Sequence, residues 1–248
     1  MNAVSMKFLV FVSLIYFTSC KKAENRACWK GSGAIITKTI SLPSFHTMEL
    51  HQRLQIELVQ DSSEFLEVRA GENLQNFIEW SVVDGKLEIW NKNKCAYLRY
   101  KTGDVKLIIH FKSLSKLIYW GSELLSAKDT IQADYLDVLM NDGAGDLDLT
   151  VHANAVNVVN PHGFSSISVH GLCKFLRLDM DGYGTFDTRG LEVKDSIAVM
   201  YASNGTSFMH ADDIKLKAEI AGMGNLVYTG TPSLIYKMRY GSGDLIHQ

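Results

Sequence analysis

The sequence lacks most of the features that announce a chemistry. It contains no Cys-x-x-Cys pair, so its four cysteines offer neither a zinc knuckle nor a thioredoxin-like redox centre. It has no basic excess. With 25 Lys and Arg against 27 Asp and Glu the formal net charge is −2, whereas a nucleic-acid binder shows a basic face and a high pI. No Gly-Lys-Ser/Thr closes a glycine-rich loop, which removes the P-loop. No window carries a good amphipathic helix of a dozen residues, and beyond the N-terminus no run approaches the length of a transmembrane helix. What remains is 248 residues, 46% hydrophobic, with 19 glycines and three prolines. That is an ordinary globular composition, long enough for one large all-β domain or two smaller ones.

The N-terminus reads as an address rather than as fold. In "MKFLVFVSLIYFTSC" (Met6 to Cys20) a lysine precedes an apolar run from Phe8 to Phe17, then Thr18-Ser19-Cys20. A positive end, an apolar stretch too short to span a bilayer and small residues at a cleavage point describe a secretory signal over residues 1–19. The small residues ending on cysteine resemble the lipobox of bacterial lipoproteins, which implies cleavage before Cys20 and lipid on that residue. Each buried acyl methylene contributes about 0.8 kcal/mol, so several chains hold a domain firmly to a membrane. Lys21 and Lys22 follow, not the acidic run that commonly marks export to the surface, so the outer membrane facing the periplasm is the expected location. Cys28 and Cys95 are disulfide candidates in an oxidising compartment, and Cys173, within an apolar strand, reads as a small buried hydrophobe.

From Trp120 onward a short pattern recurs: "WGSELL", "DGAGDL", "HGFSSI", "DGYGTF", "NGTSFM", "AGMGNL" and "YGSGDL". Its first glycines are Gly121, Gly143, Gly163, Gly182, Gly205, Gly222 and Gly241, separated by 22, 20, 19, 23, 17 and 19 residues. Four residues after each stands an apolar side chain: Leu125, Leu147, Ile167, Phe186, Met209, Leu226 and Leu245. Before each turn lies a β-rich stretch; in "FLRLDM" Leu176, Leu178 and Met180 alternate with Arg177 and Asp179. Each repeat therefore reads as strand, glycine turn, second short strand and connector. A unit of about twenty residues cannot bury its own apolar face and must stack on its neighbours. That size suits one coil of a parallel β-solenoid, whereas a propeller blade needs about forty residues. Residues 41–115 carry further strands with turn signals such as Asp84-Gly85, expected to begin or flank the solenoid and cap its open end, while residues 116–248 hold the glycine-turn repeats. Residues 20–40 are expected to be the anchored linker and the start of the cap.

The order of "SLPSFHTMELHQRLQIELVQ", "AGENLQNFIEWSVVDGKLEIWN" and a tail closing "GMGNLVYTGTPSL…GSGDL" resembles the putative auto-transporter adhesin head GIN domain, common in Bacteroidetes. The similarity runs from about Ser41 to Leu245. Three turns depart from the double-glycine pattern, with Glu123, Ser165 and Ser207 in place of the second glycine. The resemblance implies a right-handed parallel β-solenoid (β-helix) and carries no established activity, since a fold does not dictate function.

Candidate chemistry is sparse. "DGAGDLDL" lacks the third glycine and following helix of a dinucleotide fingerprint. Asp142, Asp146 and Asp148 are hard oxygen ligands of the kind calcium prefers, but the equivalent of Asp146 varies from turn to turn, so solvated aspartates are the expectation. β-Helices also house polysaccharide-cleaving enzymes. Asp146, Asp148 and Asp187, on neighbouring coils about 4.8 Å apart, could form a carboxylate pair of retaining geometry, although no basic residues join them in sequence. His152, His162, His170 and His210 fall at unequal phases and would not stack, so no metal site and no cofactor are expected. Phe164 and Tyr183, each at the middle of a glycine turn on adjacent coils, could face outward and stack on a sugar ring or a protein partner, or ladder against each other. The reading is a lipid-anchored all-β solenoid with a strand-rich N-terminal cap and a non-enzymatic binding or adhesion role. Its expected partners are the membrane, through the lipid, and a glycan or envelope protein. An envelope carbohydrate-active enzyme and a structural or regulatory lipoprotein are the alternatives.

Overall fold

In the computed structural model the described residues are 31–93, 105–141 and 143–248. Residues 1–30 and 94–104 and Asp142 lie outside them, and with them the signal segment, Cys20, and the candidate pair Cys28 and Cys95. The strands in chain order begin with β1 (Ile35–Ser41), β2 (Thr47–Leu50), β3 (Gln55–Gln60), β4 (Phe65–Gly71), β5 (Ile78–Val83), β6 (Lys86–Asn91) and β7 (Lys106–Phe111). There follow β8 (Lys116–Tyr119), β9 (Leu125–Ala127), β10 (Ile131–Asn141), β11 (Leu147–His162), β12 (Ser166–Gly182) and β13 (Thr185–Thr188). The chain closes with β14 (Leu191–Ser203), β15 (Ser207–His210), β16 (Lys215–Ile220), β17 (Leu226–Thr229), β18 (Leu234–Arg239) and β19 (Leu245–His247). Among the described residues no helix is long and apolar enough to cross a membrane.

The strands stack into a β-solenoid. One face is the parallel column β6–β2–β8–β10–β11–β12–β14–β16–β18. A second, across the glycine turn, is β7–β3–β9–β11–β12–β13–β15–β17–β19. The connectors are strands too: β11 and β12 bend without a break through 147–162 and 166–182, so Val151, Gly171 and Leu191 begin a third pairing face. The alternation read from the sequence holds. Leu176, Leu178 and Met180 are buried while Arg177 faces out, and Leu147 is the inward peg behind its turn. Stacked coils bury these pegs on both sides, and each fully buried Leu, Ile or Val contributes roughly 1.5–3 kcal/mol. Cys173 is one of them, and burial pushes its thiol up to about 12, which makes it inert filler.

The glycine ladder has one correction. Gly163 stacks on Gly143 and Gly182 on Gly163, but Gly222 stacks on Ser203, and Gly224 on Gly205. Gly205 therefore occupies the second glycine position of its turn, and Ser203 the first. With that shift the separations of 23 and 17 residues become 21 and 19, and the inward position of the fifth turn passes from Met209 to Ser207, which pairs with Leu226. A serine survives there because Tyr201 reaches in from the preceding strand. Its hydroxyl lies 2.9 Å from Ser207 Oγ and donates to the Gly205 carbonyl at 2.7 Å, and Ser207 Oγ accepts from the Phe186 amide at 2.9 Å. Tyr119 donates to the Glu123 carbonyl in the same way at the first turn.

The N-terminal strands join the solenoid in an order the period could not show. The coil β2–β3 lies between β6–β7 and β8–β9, so strands 39 and 69 residues apart in sequence (Thr47 with Lys86 and Lys116) become neighbours. The cap itself is antiparallel. β5 lies on β6, joined through Asp84 and Gly85, both at positive φ as a two-residue hairpin turn demands, while β4 lies on β7 and β1 on β4. At the opposite end β18 and β19 have partners on one side only. There Lys237 and Arg239 take the inward places held by Ala218 and Ile220 on the coil before, and both meet Asp244. Charges turned inward at an edge discourage another strand from adding.

Candidate functional site

The glycine corner sets the geometry of the most exposed aromatic pair. At several of these turns an added Cβ would overlap the carbonyl of the coil below, as at Gly143 against Gly121, so glycine there lets the coils approach at the 4.8 Å spacing of paired strands. The residue after the first glycine of the turn is then thrown outward. Phe164 and Tyr183 hang there, 67% and 59% exposed, with ring centroids 5.0 Å apart and planes 5° from parallel. Their amides donate to the carbonyls of Gly143 and Gly163, which fixes them in register. The rings ladder against each other, as the second of the two sequence readings has it, and both face solvent. Ala144 and Asn204 occupy the corresponding corners on either side, and Met223, 67% exposed, continues the line one coil beyond Asn204.

The carboxylates do not converge as a retaining pair. Asp148 pairs in register with Ser168, and Ser168 with Asp187, so a whole coil separates the two acids, roughly 9.6 Å along the stack. Asp146 and Asp148 stand side by side on the exposed face. Asp187 is held by Arg189, whose Nε lies 3.0 Å from Oδ1, and this hydrogen bond keeps the carboxyl below its usual range. A general acid needs the opposite shift. His170 Nε2 stands 3.5 Å from Asp148 Oδ1, and His210 Nδ1 meets the Thr229 hydroxyl at 3.0 Å, so these two histidines serve separate local contacts.

A second cluster, unread in the sequence, lies on the outer face of the first column. In register Leu50 pairs with Ile89 and with Tyr119, so the residues that follow, His51, Trp90 and Trp120, fall side by side. His51 is stacked between the indoles, 5.4 Å and 12° from Trp90 and 6.3 Å and 7° from Trp120. One step back, Glu49 and Glu88 are direct cross-strand partners. His51 Nε2 lies 3.0 Å from Glu88 Oε1 and 3.8 Å from Glu49 Oε1, and Lys86 Nζ lies 2.8 Å from Glu49 Oε2 and 3.4 Å from Glu88 Oε2. Trp120 Nε1 donates to Glu49 Oε1 at 3.1 Å. Burial raises the Glu49 pKa, but the bond and charge of Lys86, with Trp120, overcome it and leave a net lowering. The signal was present as Glu-x-His, Glu-x-Trp and a lone Trp, but only the pairing of distant strands assembles it.

The putative auto-transporter adhesin head GIN domain matches residues 44–232, three quarters of the chain. The chain belongs to this family. A crystal structure of a putative adhesin from Bacteroides fragilis superposes with a TM-score of 0.77 at 18% identity, covering 87% of this chain and 97% of that one. A putative adhesin from Parabacteroides distasonis gives 0.64 at 21% identity over 88% and 98% of the two chains. A putative lipid binding protein from the same organism gives 0.63 at 19%, over 87% and 98%. At these identities the structures share the fold. No curated protein matches the chain.

Proposed function

We propose that the protein is an envelope lipoprotein with a non-enzymatic binding or adhesion role, exercised through the glycine corner of the solenoid. The observation that carries this reading is the solvent-facing stack of Phe164 and Tyr183 on a rigid ladder of glycine turns. Each ring keeps one face against the other, and the outward faces and edges meet the solvent beside a small residue, Ala144, and a polar one, Asn204. Preordered aromatic surface of this kind suits a sugar ring or an apolar side chain, because little conformational entropy is lost when it is covered. The family description and the neighbours described as putative adhesins support the same reading. Lipid on Cys20 would tether the domain at the outer membrane, facing the periplasm, as the lipobox-like "FTSC" and the following lysines suggest.

The enzyme alternative gains no observation. A whole coil separates Asp148 from Asp187, and Asp187 is held in its charged form by Arg189. A glycan array and a pull-down from envelope extracts, both with the purified protein, test the proposal. The expected result is retention of an envelope glycan or protein. Failure to retain any envelope polymer or protein would remove the adhesion reading.

A further inference from the structure

We propose that Glu49, His51 and Glu88 form a binding site for a divalent transition-metal ion of the zinc class. One oxygen of each carboxylate and one imidazole nitrogen lie within 4.8 Å of one another. Tetrahedral zinc, with bonds of about 2.0–2.1 Å to nitrogen and oxygen, sets its ligand atoms roughly 3.3 Å apart. The distances from His51 Nε2, 3.0 Å to Glu88 Oε1 and 3.8 Å to Glu49 Oε1, bracket that value, so small rotations complete the set.

Two carboxylates directly opposite each other on neighbouring strands repel unless a cation joins them. Lys86 supplies one positive charge for two negative ones, and it does so at the far side, through Oε2 of each glutamate. The Oε1 atoms are left turned towards His51. Lys86 therefore acts as the outer support that orients both ligands, and the Trp120 indole N–H does the same for Glu49 through one of the two lone pairs on Oε1. The two indoles fix the plane of the imidazole from both sides, so the nitrogen is aimed before the metal arrives. All three ligand side chains are partly buried, 25%, 16% and 22% exposed for His51, Glu49 and Glu88. One imidazole with two carboxylates suits zinc and its first-row neighbours better than calcium or magnesium, which take oxygen ligands alone. Three protein ligands leave a fourth position for water or for an oxygen of a bound molecule.

Cobalt(II) is the probe, with zinc as competitor, on the full chain. One equivalent is expected to bind and to broaden the indole NMR signals of Trp90 and Trp120. Its near-ultraviolet spectrum should lack thiolate charge transfer, which separates this site from the cysteines. His51→Ala and the isosteric Glu88→Gln should each weaken binding by about tenfold or more with unchanged circular dichroism. Absence of binding, binding that survives both substitutions, or a thiolate spectrum with undisturbed indoles would overturn the proposal. Should His51→Ala fail to fold, Glu88→Gln and the indole broadening in the unaltered protein decide. Phe164 and Tyr183 lie on other coils, so loss of the adhesion reading would leave this result untouched.

Discussion

At the residue scale, two side chains depart from what their neighbours dictate. Asn160 is fully buried opposite Met180 of the next coil, and among the described residues neither atom of its amide has a hydrogen-bond partner. An unpaired buried polar group costs about 1–3 kcal/mol, so Asn160→Met is expected to stabilise the fold by roughly that amount, read as a rise in the denaturant midpoint. Asp187 has its carboxyl held down first of all by the Arg189 hydrogen bond. A lowered folded-state pKa gives a stabilisation that is complete above the unfolded value, about 3.9, and is lost as the pH falls through the lower folded value. In an NMR titration, Arg189→Ala should move the Asp187 midpoint up towards about 3.9; an unmoved midpoint would show that another group sets it. Phe164 and Tyr183 were legible as outward residues because their turns fix their direction. His51, Glu49 and Glu88 were not, since each is ordinary until strands 39 residues apart are laid side by side.

Among the elements, the turn is the unit that repeats, and it repeats for a steric reason. At Gly224 an added Cβ would overlap the Gly205 carbonyl oxygen of the coil below. Gly224→Ala must therefore push adjacent coils apart or bend a strand, and a cost of about 2–4 kcal/mol in the unfolding free energy is expected, comparable to a strained or overpacked core position. The period of about twenty residues and the glycine corners were plain in the sequence because this overlap keeps glycine at most of the corner positions. The fifth turn misled for the same reason that it folds. Ser203 and Ser207 replace a glycine and an apolar peg, and Tyr201 compensates by filling the corner and bonding to Gly205 and Ser207. A pattern of glycine and apolar residues cannot register a substitution whose remedy is a tyrosine six residues earlier.

For the whole molecule, the two ends of the solenoid are protected differently. Antiparallel strands cover the first, and inward Lys237 and Arg239 guard the last, where Asp244 is held below the usual carboxylate range by Lys237. Replacing both by the residues that the core would otherwise hold, Lys237→Val with Arg239→Ile, should expose an apolar, unpaired edge. Sedimentation velocity is expected to show more self-association than in the unaltered protein, and unchanged sedimentation would show that these charges do not guard the end. The class of fold was legible from the repeat, whereas the insertion of β2–β3 between later coils was not, because local periodicity holds no record of long-range pairing. The proposed function turns on the corner surface that the stacked coils create. The most direct test is to measure, for whatever glycan or protein the domain retains, the affinity of Phe164→Ser/Tyr183→Ser against the unaltered chain. The pair contributes only about 0.5–1.5 kcal/mol as a stack, so the fold should persist while binding falls by about tenfold or more. Undiminished affinity in a folded double variant would contradict the assignment of this corner as the binding surface.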